Sequence, residues 1–147
     1  MKRISRSAIV ECGAMNFYRL VEAIEDYPAF LPWCAAAETH ERTPGRTVAT
    51  LTLAVKGVRQ SITTENAFVP GQSIDMRLVE GPFRNFVAAW RFTPLGAAAC
   101  KAEYSMEYEF SSRVIATVLE PVFARIANGT VEAFTRRIQA RPGQLAD

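Results

Sequence analysis

The sequence predicts an α+β fold: a curved antiparallel β-sheet wrapped around one long C-terminal α-helix, with an internal apolar cavity between them. Three observations carry this. Residues 111–141 hold the longest run of helical period in the chain, with Val114, Ile115, Val118, Leu119, Val122, Phe123, Ile126, Ala133, Phe134 and Ile138 mostly at three- and four-residue steps. From Ala35 onward the chain breaks into short segments cut by turn residues about 11 to 14 positions apart. Within 100–110 the alternation is strict. Cys100, Ala102, Tyr104, Met106, Tyr108 and Phe110 share one face, and Lys101, Glu103, Ser105, Glu107 and Glu109 share the other. A sheet with one dry face and a helix with one apolar stripe are each other's natural cover.

The 147 residues suffice for one domain, 1–147, with a core over about 3–140. Residues 3–11 alternate loosely and end at Gly13, a first strand. Met15, Tyr18, Leu20, Val21 and Ile24 fall at helical spacing, so a short amphipathic helix covers 14–24. The stretch 25–34, EDYPAFLPWC, packs two prolines and three aromatics into ten residues. Its prolines predict a one-turn helix and a bend. Strands follow at 47–55, 58–68, 73–80, 84–93 and 97–110, separated by Pro44-Gly45, Lys56-Gly57, Pro70-Gly71, Gly81-Pro82 and the Pro94–Gly96 turn. The dry faces also gather Phe86, Ala88, Trp90 and Phe92; Ile74, Met76 and Leu78; and Ala49, Leu51, Leu53 and Val55. In the final helix, about 40 Å long at 1.5 Å per residue, Pro121 predicts a kink or a fresh start. Gly129 predicts either a close backbone approach or room for a ligand.

Composition narrows the function. No 18-residue apolar run stands out and the basic N-terminus lacks a long apolar core, so neither a membrane span nor a signal peptide is read. Three scattered cysteines, Cys12, Cys34 and Cys100, make no disulfide framework, which points to a reducing cytoplasm. A net charge of +2 does not announce nucleic-acid binding, and no DNA partner is read.

The polar chemistry is sparse. His40, the single histidine, sits in ETHER and reads as solvated surface, which leaves no Ser-His-Asp or Cys-His engine. Cys34 has no histidine or lysine beside it and reads as a packed thiol. One histidine and no C-x-x-C give no metal site. Glu103, Glu107 and Glu109 lie on the wet face, and the glycines stand singly in turns, so neither an acid–base pair nor a phosphate loop is read. No catalytic residue is assigned.

The aromatic set remains. Phe30, Trp33, Phe83, Phe86, Trp90, Phe92, Tyr104, Tyr108 and Phe123 fall on or beside predicted dry faces, more rings than a sheet-and-helix sandwich needs. With Ile126 of the helix they predict the wall of an apolar pocket. Tyr27, Pro28, Phe30, Leu31 and Trp33 predict an exposed, movable lip that opens the cavity at a membrane surface. Basic residues collect near both ends, Lys2, Arg3 and Arg6 in one group and Arg125, Arg136, Arg137 and Arg141 in the other. These read as solvated faces or as a footprint for ribosomal RNA or anionic lipid heads.

Asp26-Tyr27-Pro28 with Phe30-Leu31-Pro32-Trp33-Cys34, then Gly81-Pro82-Phe83, Trp90 with Phe92, and Pro121-Val122-Phe123 leading to Val131-Glu132-Ala133-Phe134 form an ordered pattern over residues 3–140. In it the chain resembles the coenzyme Q-binding, START-like proteins of the polyketide cyclase/dehydrase superfamily, a pattern shared with the RatA ribosome association toxins. The resemblance implies a helix-grip fold around a hydrophobic ligand, reshaped here by small residues at Ala54 and Ala88. It implies first the non-catalytic carriage of ubiquinone or a related polyprenyl quinone in support of respiratory electron transport. Tyr104, Tyr108, Thr64 and Asn66 are the candidate head-group donors, and the expectation is a cytoplasmic protein that needs no cofactor and makes peripheral contact with the inner membrane. The alternative it implies is a toxin that binds the large ribosomal subunit and blocks subunit association. An aromatase or cyclase ranks third.

Overall fold

The computed structural model describes residues 2–140. The elements run β1 (Lys2–Val10), α1 (Ala14–Glu22), a 3-10 helix (Ile24–Ala29), β2 (Cys34–Thr43), β3 (Arg46–Val55), β4 (Val58–Val69), β5 (Ser73–Glu80), β6 (Phe83–Pro94), β7 (Cys100–Phe110) and α2 (Arg113–Ala140). All seven strands form one antiparallel sheet in the order β1-β7-β6-β5-β4-β3-β2. From β2 to β7 this is a meander in chain order. The single crossover carries β1 to the far edge, where Val10 pairs Cys100 and Lys2 pairs Tyr108.

Alternation sets the inner face. On β7 the even-numbered residues are buried or half-buried, and their register brings Ala102 opposite Phe92, Tyr104 opposite Trp90 and Tyr108 opposite Phe86. α2 lies on this face and buries Leu119, Val122, Phe123, Ile126, Ala127, Thr130, Val131, Phe134 and Ile138. Two packed groups result. In the first, Phe134 meets Tyr27, Phe30 and Trp90, each with ring centroids 5.3 Å away. In the second, Phe83 meets Phe86, Phe110 and Phe123, each at 5.0 Å. Trp33, Leu51, Met76 and Tyr104 touch both groups and so span the space between them.

Four expectations are corrected. The sequence names no strand over 34–43, yet β2 lies there at the sheet edge. Its alanines and charges have weak strand propensity, and it is held by pairing with β3. Val114 and Val118, counted in the apolar stripe, are exposed at 77% and 53%. At 100° per residue they sit on the flank of the line through Ile115, Leu119, Val122 and Ile126 that meets the sheet. Of the kink or fresh start expected at Pro121, the fresh start is not found, for α2 is continuous through it while Leu119, Val122 and Phe123 anchor that stretch in the core. Finally, α2 is long and apolar enough by composition to cross a membrane, which the sequence reading did not find. Of that apolar window, 39% is buried within the fold. Arg141 lies outside the described residues.

Candidate functional site

A groove of about 620 Å³ opens where three elements meet at one end of the grip. The first is the lip after the 3-10 helix. Two prolines keep it from becoming regular helix, and its backbone closes on itself instead: the amides of Phe30 and Leu31 donate to Tyr27 O, and that of Cys34 donates to Leu31 O. The amide of Ala54 donates to Trp33 O at 2.8 Å, so the lip is stitched to β3. Pro32 and Trp33 form its groove side. The second element is the β3–β4 hairpin, where Val55 pairs Val58 across Lys56 and Gly57. Both turn residues have positive φ, 49° and 82°, which two-residue hairpins require to match strand twist. Ala54, Val55 and Lys56 face the groove. The third is α2, which contributes Arg125, Ile126, Gly129, Glu132, Ala133 and Arg136. That spacing repeats every three or four residues, so these residues form one helical face.

Gly129 decides the groove's depth. A Cβ there would meet nothing within 4 Å, so close backbone approach is ruled out and the glycine leaves open space. Titratable side chains on the lining are Lys56, Arg125, Arg136 and Glu132. Glu132 and Arg136 pair one helical turn apart. Lys56 and Arg125 have no ion pair among the described residues.

Of the residues assigned from sequence to a ligand, Trp33 and Ile126 line this groove. Phe83, Phe86, Trp90, Phe92 and Phe123 are packed ring against ring inside the grip. The lip is less exposed than the sequence predicts. Tyr27 and Leu31 are buried, Phe30 and Trp33 half-buried, and only Pro28, Ala29 and Pro32 are exposed. Phe134 accounts for this by holding Tyr27 and Phe30 edge-on, while the Tyr27 hydroxyl donates to Val21 O. Burial raises the Tyr27 and Tyr104 phenols well above their ordinary range, and both remain neutral hydrogen-bond donors. The Tyr104 hydroxyl points to Met106 Sδ at 3.7 Å. Tyr108 donates to Glu120 Oε1 at 3.2 Å, and burial followed by that carboxylate pushes its phenol to about 12. It lines a second groove of about 500 Å³ beside Pro121. Thr64 donates to the buried Asn66 Oδ1 at 2.9 Å. Among the basic groups, Lys2 pairs Glu120, Arg3 pairs Glu107, Arg6 meets Asn128, and Arg137 covers Phe30.

Residues 10–135 match the family described as polyketide cyclase / dehydrase and lipid transport. The chain belongs to that family. Over 144 residues it is 40% identical to the ribosome association toxin RatA of Vibrio cholerae, covering 98% of this chain and all of that protein. Over 143 residues it is 24% identical to the mitochondrial coenzyme Q-binding protein COQ10 homolog B of Xenopus laevis, covering 92% of this chain and 58% of that protein. The ZhuI aromatase/cyclase structure from Streptomyces superposes with a TM-score of 0.84 over 95% of this chain and 94% of that one, at 17% identity, a likeness of fold alone. The sequence expectation of a helix-grip, START-like fold is met.

In this polyketide cyclase/dehydrase-family chain the described residues lining the groove include no histidine, cysteine, serine, threonine or tyrosine. Cys12, Cys34 and Cys100 are buried free thiols, raised by desolvation, with Cys100 at about 11, and so remain protonated. His40 is exposed on β2 beside Thr50. Glu103, Glu107 and Glu109 pair with Lys101, Arg3 and Arg84 on the outer face. Among the described residues no three metal-ligating side chains come together. The sequence reading named Ala54 as reshaping the cavity and Gly129 as room for a ligand, but did not place Val55, Lys56, Glu132 or Ala133 in a groove. The signal available was the one-face spacing of 125, 126, 129, 132, 133 and 136 around a glycine.

Proposed function

We propose that this protein is a non-catalytic ribosome association factor, acting in the cytoplasm without a cofactor by binding the large subunit and hindering subunit joining. The observation that carries the reading is 40% identity, end to end, with a protein named a ribosome association toxin. It ranks above quinone carriage, which the sequence reading put first and which is supported by the more distant likeness at 24%. The surface is consistent with a polyanionic partner: Lys56, Arg59, Arg113 and Arg125 are exposed and have no acidic partner among the described residues. The test is sucrose-gradient sedimentation of the purified chain with separated ribosomal subunits. The expected result is salt-sensitive co-sedimentation with the large subunit and a smaller fraction of joined ribosomes. Protein left at the top of the gradient, with joining unchanged, overturns the proposal.

A second reading, retention of a hydrophobic ligand in the groove, is favoured by one specific observation. The open space above Gly129 is walled by Trp33, Val55, Ile126 and Ala133, and about 620 Å³ is within the range of small-molecule sites. Each CH₂ buried there contributes roughly 0.8 kcal/mol. Native mass spectrometry of the fresh protein followed by organic extraction checks it. A polyprenyl quinone in the extract supports carriage, and a protein that is empty and takes up no lipid from vesicles removes this reading.

A further inference from the structure

The groove has an apolar floor and a cationic rim. Lys56 stands at the tip of the β3–β4 hairpin and Arg125 on the facing turn of α2, both exposed. Neither has an ion pair among the described residues. Among the described residues the one carboxylate on the lining, Glu132, pairs with Arg136. A neutral ligand head leaves the two free cations uncompensated and partly desolvates them. An anionic head replaces their lost water with charge-assisted hydrogen bonds. Lys56 is moreover the one non-glycine among the described residues held at positive φ, so a long cationic side chain occupies a position that favours glycine or asparagine.

We propose that the groove takes a single-chain amphipath with an anionic head, its tail lying over Gly129 against Trp33, Ile126 and Ala133 and its head between Lys56 and Arg125. The shared chemistry is one long alkyl chain ending in a carboxylate or phosphate, supplied as a free fatty acid or as the acidic head of a lysolipid. This rests on the reading that the groove holds a hydrophobic ligand, and it replaces a neutral quinone head with a charged one.

The experiment titrates the full-length protein with oleate, oleoyl lysophosphatidic acid and oleyl alcohol, each below its aggregation threshold, by calorimetry and Trp33 fluorescence. One or both anions are expected to saturate at one per chain, with oleyl alcohol at least about tenfold weaker; which anion binds identifies the source. In Lys56→Gln/Arg125→Gln the anions fall to the level of the alcohol while the melting temperature holds. Gly129→Leu, which fills the open space, abolishes binding of all three. Equal binding of alcohol and anions, or anion binding unchanged in the double variant, overturns the anionic head and leaves the apolar groove standing. No binding of any of the three overturns both.

Discussion

The guanidinium of Arg137 lies 5.0 Å above the ring of Phe30, while its own Nε is buried with no hydrogen-bond partner among the described residues. These two facts oppose each other. A desolvated cation–π contact contributes up to about 2 kcal/mol, and an unsatisfied buried donor costs about 1–3 kcal/mol. Arg137→Met, which keeps the aliphatic stem over the ring, is therefore expected to change stability by less than about 1 kcal/mol. Phe30→Ala removes the ring that meets Tyr27 and Phe134 and is expected to cost about 2–4 kcal/mol. Urea unfolding at constant m-value checks both. A loss in Arg137→Met as large as that in Phe30→Ala makes the cation the anchor of the lip and refutes the cancellation.

Gly129→Ala is expected to stabilise the protein. The added methyl meets nothing within 4 Å, and alanine is better than glycine in a helix interior by about 1 kcal/mol. For a chain of this size that corresponds to roughly 2–4 °C in melting temperature. Calorimetry reads it directly, and a fall in melting temperature shows that the space above Gly129 is not open.

Lys56 gives the opposite trade. At φ 49° it occupies the left-handed region, which asparagine tolerates better than lysine. Lys56→Asn is expected to raise stability by about 0.5–1 kcal/mol while weakening anion binding in the groove. Unchanged stability in thermal melts removes the claim that backbone comfort is given up for charge at this position.

Acid stability has an identifiable contributor. Glu65 accepts from Arg77 and Arg46, whose guanidiniums hold its carboxyl below the ordinary glutamate value. A carboxyl lowered on folding adds stability that is present above its unfolded pKa, about 4.3, and is lost as pH falls through the folded value. The melting temperature of Glu65→Gln is expected to lie below wild type at pH 7 and to converge with it in more acidic solution. A gap that persists undiminished at about pH 2, below both pKa values, attributes the difference to packing.

Much of the fold was legible because periodicity is local. The alternation over 100–110 and the turn pairs at Lys56-Gly57 and Pro70-Gly71 specify strands and hairpins without knowledge of distant residues. β2 was not legible, because Cys34–Thr43 becomes a strand through its partner β3 and not through its own side chains. The lip was half legible. Its prolines predict the bend, but Phe134, which packs against Tyr27 and Phe30, lies more than 100 positions away in the chain.

The sequence by itself determined the α+β class, the single long helix and the apolar set from which both core groups are built, since these follow from local period and residue type. Only the tertiary structure decided which apolar residues fill the grip and which line an opening. Ring contacts pair Phe83 with Phe123 in one core group and Trp90 with Phe92 in the other, while Trp33, Lys56 and Gly129 come from three separate sequence neighbourhoods to form one groove. The reason is physical: period shows which face of an element is dry, and volume is shared between elements, so the space left over belongs to no element alone.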